Sequence, residues 1–240
     1  MTITLKKALD LVFPRSCIQC GHAVDSSPYD FVCTKCANGL IKCLPPGCNT
    51  CGYPFYGEII VAKKCPHCTE LEPFFDQGKT LFIATGIGRS LLHELKYRQG
   101  IYVLNDLARM VTRSRHYLEY ICHATLVPVP LHPVRLRERG FNQSEQIARM
   151  LARCSGNTAK IEKILIRKRY TQSQTCLNRS LRHQNVKNAF ALAPNIVLDS
   201  KKSYIIVDDV FTTGSTLNAC AKVLRKAGAS HLKVATIGHG

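Results

Sequence analysis

The sequence predicts an α/β protein, with a parallel sheet flanked by helices and a small cysteine-rich module ahead of it. After residue 75, apolar runs with strand patterning alternate with amphipathic helical segments, which is typical of α/β sheets. Four regularly spaced cysteine pairs lie before residue 75. The charge density also changes near residue 75: residues 1–75 carry a net charge of +1, and residues 76–240 carry +16 of the formal +17. We therefore expect two domains, 1–75 and 76–240.

The first element in chain order is the cysteine-rich module. Its pairs share the spacing C-x-x-C, and 12 and 13 residues separate the first pair from the second and the third from the fourth, which is close to zinc-ribbon spacing. Two such pairs supply the four thiolates of a tetrahedral zinc site. The predicted ligands are Cys17, Cys20, Cys33, Cys36, Cys48, Cys51, Cys65 and Cys68.

The arrangement of the cysteine pairs around zinc is open at this stage. Sequential pairing is favoured, but an interleaved arrangement, first with third and second with fourth, also satisfies the spacing. Disulfides are disfavoured, since the chain has 13 cysteines, an odd number, and residues 1–15 lack the apolar core of a secretory signal. A site filled by four thiolates has no open position for a substrate, so we expect about two structural zinc ions.

Composition and hydropathy exclude two classes of protein. A hydrophobic fraction of 45% with 20% charged residues is ordinary for a folded globular chain, so disorder is not expected. No apolar stretch approaches the roughly 18–20 residues of a membrane-spanning helix. We therefore expect a cytoplasmic protein.

The elements of the second domain follow a Pro- and Gly-containing linker at 70–79. Leu91, Leu92 and Leu95 have helical spacing, and four consecutive apolar residues at 204–207 are typical of a parallel strand covered on both faces. A loop rich in Pro and Arg follows the second strand. The predicted strands are 79–85, 124–129, 160–166, 204–207 and 231–237, and the predicted helices are 88–98, 104–111, about 143–153 and 216–227.

The most informative residues follow the strand at 204–207. Two carboxylates, Asp208 and Asp209, stand where open α/β sheets bind ligands, at the carboxyl end of a strand. The next turn, which opens a helix, consists of Thr212, Thr213, Gly214, Ser215 and Thr216. Free amides at a helix N-terminus favour phosphate, so the sequence predicts a sugar-phosphate site. Helix capping would explain one hydroxyl but neither the paired acids nor the run of hydroxyls. No P-loop or dinucleotide fingerprint occurs.

Residues 207–216 resemble the phosphoribosyl-pyrophosphate signature of type I phosphoribosyltransferases. The whole chain resembles the ComF competence-protein family, which combines a zinc-ribbon module with a phosphoribosyltransferase-like domain and is associated with DNA uptake in natural transformation. The motifs that carry this resemblance, beside the cysteine pairs, are LHELKY at 92–97, VPVPL at 127–131, RGFNQ at 139–143, NVKNAF at 185–190 and VDD at 207–209.

The resemblance implies a role for each matching residue. Asp208 and Asp209 would be the catalytic pair that holds the ribose 2′- and 3′-hydroxyls, and residues 212–216 would wrap the 5′-phosphate. Arg139 would face pyrophosphate, which Mg²⁺ would accompany. The stretch 167–185 would match the hood that closes over such sites, with Arg179 and Arg182 meeting phosphate oxygens. The acceptor of a phosphoribosyl group is not identified by any of these motifs.

A basic stretch flanks the predicted site. Residues 135–187 hold 13 basic and 3 acidic side chains, a concentration that favours a polyanionic partner over a merely solvated surface. Tyr170 and Phe141 are candidates for stacking on bases. Two hypotheses follow: a phosphoribosyltransferase of competence that also binds single-stranded DNA, or a non-catalytic nucleic-acid-binding adaptor on the same fold. Other competence proteins are expected partners. The predicted nucleic-acid contacts are Arg135, Arg137, Arg167, Lys168 and Arg169.

Overall fold

A five-stranded parallel sheet forms the centre of the computed structural model, which describes residues 15–55, 64–97, 100–169 and 188–240. Its strand order is β1-β7-β6-β2-β3, and β4 and β5 form a separate antiparallel pair. The strands are β1 Gln77–Ile83, β2 Thr125–Pro128, β3 Lys160–Ile161, β4 Leu165–Arg167, β5 Phe190–Leu192, β6 Ser203–Phe211 and β7 His231–His239. The α/β class with a parallel sheet is confirmed.

Helices cover the sheet on both faces, as the apolar runs of its strands require. The helices are α1 Thr34–Asn38, α2 Gly86–Tyr97, α3 Leu104–Thr112, α4 Arg115–Ile121, α5 Pro133–Arg139, α6 Gln143–Cys154 and α7 Ser215–Lys226. One face of the sheet packs against α2, α3, α4 and α6. The other face packs against α7, the β4–β5 pair and the second group of cysteines. Among the described residues, no helix has the length and apolar character needed to cross a bilayer.

The structure differs from the sequence prediction at several elements. The Pro- and Arg-rich segment after β2 is not a loop but the helix α5, because His132 caps it and Pro133 suits its first turn. The helices α1 and α4 and the strand β5 were not predicted. The predicted strand 160–166 is split, since Ile161 ends the pairing with β2 and Leu165 begins the antiparallel pair with β5.

The segment that joins the two cysteine groups covers the edge of the sheet. The Cys43 amide donates to the Leu81 carbonyl at 3.0 Å, and the Ile83 amide donates to the Ile41 carbonyl at 2.8 Å. Nearer the start of β1, the Thr80 hydroxyl donates to the Cys51 carbonyl at 2.8 Å. The two backbone bonds satisfy polar groups that the edge strand β1 otherwise leaves open. The cysteine-rich module is therefore bonded to the sheet along β1.

The predicted linker also packs on the second domain. The Asn218 side chain on α7 accepts from the Phe74 amide at 2.7 Å and donates to the Glu72 carbonyl at 2.9 Å. Leu71 and Phe75 are buried in the same region. The chain between the cysteines and β1 is therefore held against α7, the helix that follows the predicted phosphate turn.

Candidate functional site

A cavity of about 170 Å³ opens at the carboxyl end of β6. It brings together every residue predicted for the sugar-phosphate site except Arg139, and it adds a lysine that the sequence prediction did not include. The lining residues are Lys96, Asp208, Asp209, Val210, Thr212, Thr213, Gly214, Ser215, Thr216 and Leu217.

The two carboxylates lie within β6 rather than after it, because its pairing with β7 continues to Phe211. Asp208 Oδ1 accepts from the Ser144 hydroxyl at 2.8 Å and from the Asp209 amide at 2.9 Å. Ser144 stands in the first turn of α6, which Asn142 caps. Burial and the neighbouring Asp209 raise the pKa of Asp208 to about 7. Asp208 therefore takes up a proton near neutral pH.

Lys96 neutralises the second carboxylate. Its ammonium nitrogen lies 2.9 Å from Asp209 Oδ2, and Asp209 is only 5% exposed. Burial alone would lower the pKa of Lys96, but the pKa is raised because Asp209 and Asp208 favour the charged form. The sequence carried one signal for this contact: Lys96 stands four residues after Leu92, on the apolar face of α2. A charged group on a buried helix face needs a partner of opposite charge.

The turn after β6 has the geometry of an anion-binding helix start. Gly214, the residue before α7, has a left-handed conformation with φ of 72° and provides no side-chain cap. The first-turn amides of the helix are therefore suited to an external anion. A Cβ atom on Gly214 would lie 2.6 Å from Phe211 Cζ and 2.9 Å from Leu71 Cδ2, so only glycine fits without displacement. The Thr213 and Ser215 hydroxyls are 2.9 Å apart beside this turn.

Arg139 is not among the residues that line the cavity. It is the last residue of α5, and its guanidinium carbon lies 5.5 Å from the ring centre of Tyr97, the neighbour of Lys96. On the same helix, Arg135 is partly buried and Arg137 is exposed.

The other predicted nucleic-acid contacts divide into two groups. Arg167 is partly buried, with its guanidinium carbon 5.3 Å from the ring centre of Phe190. Burial lowers the pKa of Arg167, and the electrostatic attraction of the Asp208 carboxylate partly offsets this lowering. Lys168 and Arg169 are exposed. Phe141 is partly buried and packs against the core.

Most of the predicted hood, residues 167–185, lies outside the described residues. The residues Tyr170, Arg179 and Arg182 are among those not described.

The eight paired cysteines form two clusters, each with its four sulfur atoms within 4.8 Å of one another. Cys20 and Cys33 sulfurs are 3.7 Å apart, and Cys51 and Cys65 sulfurs are 3.5 Å apart. Tetrahedral zinc with Zn–S bonds of about 2.3 Å separates its sulfurs by roughly 3.8 Å, so both clusters fit zinc. Sequential pairing is confirmed: the first two C-x-x-C pairs form one cluster and the last two form the other.

Two successive rings connect the second cysteine cluster with the turn after β6, residues 212–216. His239 Nε2 lies 3.3 Å from Cys51 Sγ, and the His239 ring stacks on Phe211 with centroids 5.4 Å apart. Phe211 in turn fills the space beside Gly214. The second cysteine cluster therefore supports the turn after β6 from below the Phe211 ring. All four of its sulfur atoms are buried, which is consistent with a structural site.

Comparison with known proteins finds two domain families that match parts of this chain. A double zinc ribbon domain matches residues 8–70, and a phosphoribosyl transferase domain matches residues 98–238. Competence protein F of Haemophilus influenzae is 30% identical over 86% of this chain and 96% of its own length. The DNA utilization protein YhgH of Salmonella typhimurium is 30% identical over 93% of this chain and 96% of its own. Competence protein ComFC of Streptococcus pneumoniae is 29% identical over 78% of this chain and 84% of its own.

Proposed function

Because this chain belongs to the ComF family of competence proteins, we propose that it binds phosphoribosyl pyrophosphate with Mg²⁺ in the β6 cavity and acts in DNA uptake. One observation carries the proposal: the acid pair and the phosphate turn line one cavity. Paired carboxylates accept hydrogen bonds from vicinal hydroxyls, and a helix start binds phosphate. A phosphorylated ribose presents both groups.

Each half of the cavity has a separate task in this proposal. Asp208 and Asp209 accept from the ribose hydroxyls, while Ser144 and Lys96 hold the carboxylates in place. The amides and hydroxyls of 212–216 bind the 5′-phosphate. The Gly214 conformation fixes the direction of those amides. The ribose is thereby held at both ends, which fixes the position of its anomeric carbon.

The pyrophosphate half relies on cations beside the acid pair. Arg139 on α5, whose guanidinium contacts the ring of Tyr97, is the cation that we assign to pyrophosphate. The oxygen-rich lining of the cavity suits Mg²⁺, which would be held chiefly by pyrophosphate and would neutralise charge on that leaving group. Transfer of the phosphoribosyl group to an acceptor is the reaction that this arrangement would serve.

A second function, binding of single-stranded DNA, has its own support. Arg137, Lys168 and Arg169 are exposed, and nearly all the net charge of the chain lies after residue 75. Exposed cations of this kind bind a phosphate backbone without sequence preference. An adaptor role without catalysis needs only this surface, whereas the enzyme hypothesis needs the acid pair as well.

Calorimetric titration with phosphoribosyl pyrophosphate and Mg²⁺, with and without single-stranded DNA, tests these proposals. The double variant Asp208→Asn, Asp209→Asn should remove most of the affinity for phosphoribosyl pyrophosphate, because each asparagine presents a donor NH2 group in place of one accepting carboxylate oxygen. Asp25→Asn, at an exposed carboxylate of the first ribbon, is the matched control and should bind like wild type. Unchanged affinity in the double variant would reject the proposed site.

A further inference from the structure

His239 lies between the second cysteine cluster and the turn after β6, although it is neither a predicted zinc ligand nor a lining residue of the cavity. It is the last residue of β7, where it is the register partner of Phe211, and it is only 1% exposed. Its Nε2 atom lies 3.3 Å from Cys51 Sγ. Cys51 binds zinc as a thiolate, which accepts hydrogen bonds and does not donate them. The Nε2–H group of His239 is therefore the donor in this contact.

The same sulfur atom accepts a second hydrogen bond, and the histidine ring is held by its neighbours. The Tyr53 amide donates to Cys51 Sγ at 3.4 Å. The Tyr53 and His67 rings lie 5.0 and 5.1 Å from the His239 ring, on which Phe211 also stacks. Partners of this kind orient a metal ligand, and their loss typically lowers metal affinity about tenfold to a hundredfold.

Two lines of contact run from the second cluster to Gly214. The first passes through His239, whose ring stacks on Phe211 at an angle of 19°, and the Phe211 ring lies against Gly214. The second passes through Leu71, whose amide donates to the Cys68 carbonyl at 3.1 Å and whose Cδ2 atom also lies against Gly214. Because Gly214 directly precedes α7, a shift of either side chain would move the start of that helix.

The state of the cluster affects these contacts. Its four cysteines are buried, and their sulfur atoms lie within 4.8 Å of one another. Four thiolates at this spacing repel one another unless a cation lies between them, so we expect the sulfur atoms to move apart when metal is lost. Side chains in a close-packed interior then shift with them. His239 and Leu71 are the side chains that connect this movement to Gly214.

We propose that the second zinc site and the turn after β6 are energetically coupled, with His239 as the positioning residue that connects them. Metal in the cluster favours the conformation of the turn that binds phosphate, and a phosphorylated ligand on the turn favours retention of the metal. Such coupling is reciprocal, so each partner raises the affinity of the other by the same factor. The effect of the ligand rests on the proposed function, whereas the contacts between the cluster and Gly214 do not.

Substitutions at His239 test the hydrogen bond. His239→Phe keeps a ring against Phe211 but has no donor for Cys51, whereas His239→Gln keeps a donor. We expect His239→Phe to lower the zinc affinity of the second cluster about tenfold to a hundredfold in competition with a chromogenic chelator, and His239→Gln to retain most of it. In protein reloaded with Co²⁺, the sulfur-to-metal charge-transfer band should move to longer wavelength in His239→Phe and return in His239→Gln. Unchanged zinc affinity and an unmoved band in His239→Phe would overturn the role of His239.

The first cysteine cluster is the internal reference for these titrations. Cys20→Ser, at an exposed ligand of that cluster, identifies which step of the titration belongs to it. The zinc affinity of the first cluster should be the same in wild type and in both His239 variants. An equal loss of affinity at both clusters would show a general loss of stability and would overturn the proposal.

Gly214→Ala tests the coupling from the other end and needs no ligand. The added methyl group would displace Phe211 and Leu71, so the second cluster should lose about fivefold or more in zinc affinity. Gly140→Ala is the matched control, because Gly140 also has a positive φ but open space around it, and it should keep wild-type affinity. Unchanged zinc affinity in Gly214→Ala would contradict the coupling.

Ribose 5-phosphate tests the reciprocal effect and separates the coupling from the proposed function. At saturation it should raise the zinc affinity of the second cluster about fivefold or more in wild type, and by less in His239→Phe. If ribose 5-phosphate binds and leaves the zinc affinity unchanged, the coupling fails and the proposed function stands. If calorimetry detects binding of neither ribose 5-phosphate nor phosphoribosyl pyrophosphate, the proposed function fails, and the zinc affinities of His239→Phe and Gly214→Ala decide the coupling.

Discussion

Asp208→Asn should stabilise the free protein at alkaline pH while weakening its ligand site. Burial and the charge of Asp209 raise the pKa of Asp208 from 3.8 to about 7. Asparagine keeps an oxygen that can accept from Ser144 and from the Asp209 amide, so the geometry of the site should persist. The substitution removes a charge that burial and the neighbouring Asp209 disfavour in the folded state.

The sign and size of the effect follow from the two pKa values. Between pH 3.8 and about 7 the folded state binds more protons at Asp208 than the unfolded state does, so this carboxyl makes stability fall as pH rises. Across that range the loss is about 1.4 kcal/mol for each pH unit, and roughly two pH units of the range lie above pH 5. We therefore expect Asp208→Asn to gain about 2–3 kcal/mol on wild type between about pH 5 and about pH 8.

Urea unfolding of both proteins at the two pH values measures this gain. The titration is carried out without ligand, because a bound ligand would stabilise the folded state by itself. Asp25→Asn, at an exposed carboxylate, keeps Asp208 and should therefore follow the pH dependence of wild type. A stability difference between Asp208→Asn and wild type that stays constant across this pH range would refute the assigned environment of Asp208.

The other predictions concern metal, loop geometry and charge. Protein purified without chelator should contain about two zinc ions per chain by elemental analysis, and soluble folded protein free of zinc would contradict the ribbon assignment. Gly214→Ala should cost about 2–4 kcal/mol in urea unfolding, because strain at positive φ adds to the clash with Phe211. Gly140→Ala has a similar φ of 77° and open space around it, so it should show the smaller strain cost alone; equal losses would exclude the clash. Binding of single-stranded DNA should weaken steeply with salt, and Lys168→Gln with Arg169→Gln should reduce the salt slope by about two phosphates; a flat salt response in wild type would count against the basic surface.

The cysteine pairs and the phosphate turn could be predicted because their chemistry is contiguous in the chain. A C-x-x-C knuckle and a strand followed by a Gly-containing turn form from neighbouring residues, so spacing alone reveals them. Asp208, Asp209 and Gly214 accordingly appear in the cavity as the sequence suggests. The sequence left open which C-x-x-C pairs share a zinc ion, since sequential and interleaved pairing both satisfy the spacing. The positions of the sulfur atoms in the structure decide for sequential pairing.

Residue patterns alone predicted the fold class, the cysteine clusters and the proximity of the acid pair to the turn after β6. The packing of the folded chain was needed to identify the distant groups that contact the acid pair. Lys96 reaches Asp209 across more than a hundred residues, and Ser144 reaches Asp208 across 64. Packing also placed Arg139 over Tyr97 and bonded Cys51 to β1. Such contacts depend on how helices and strands pack against one another, and no local pattern of residue types records that packing.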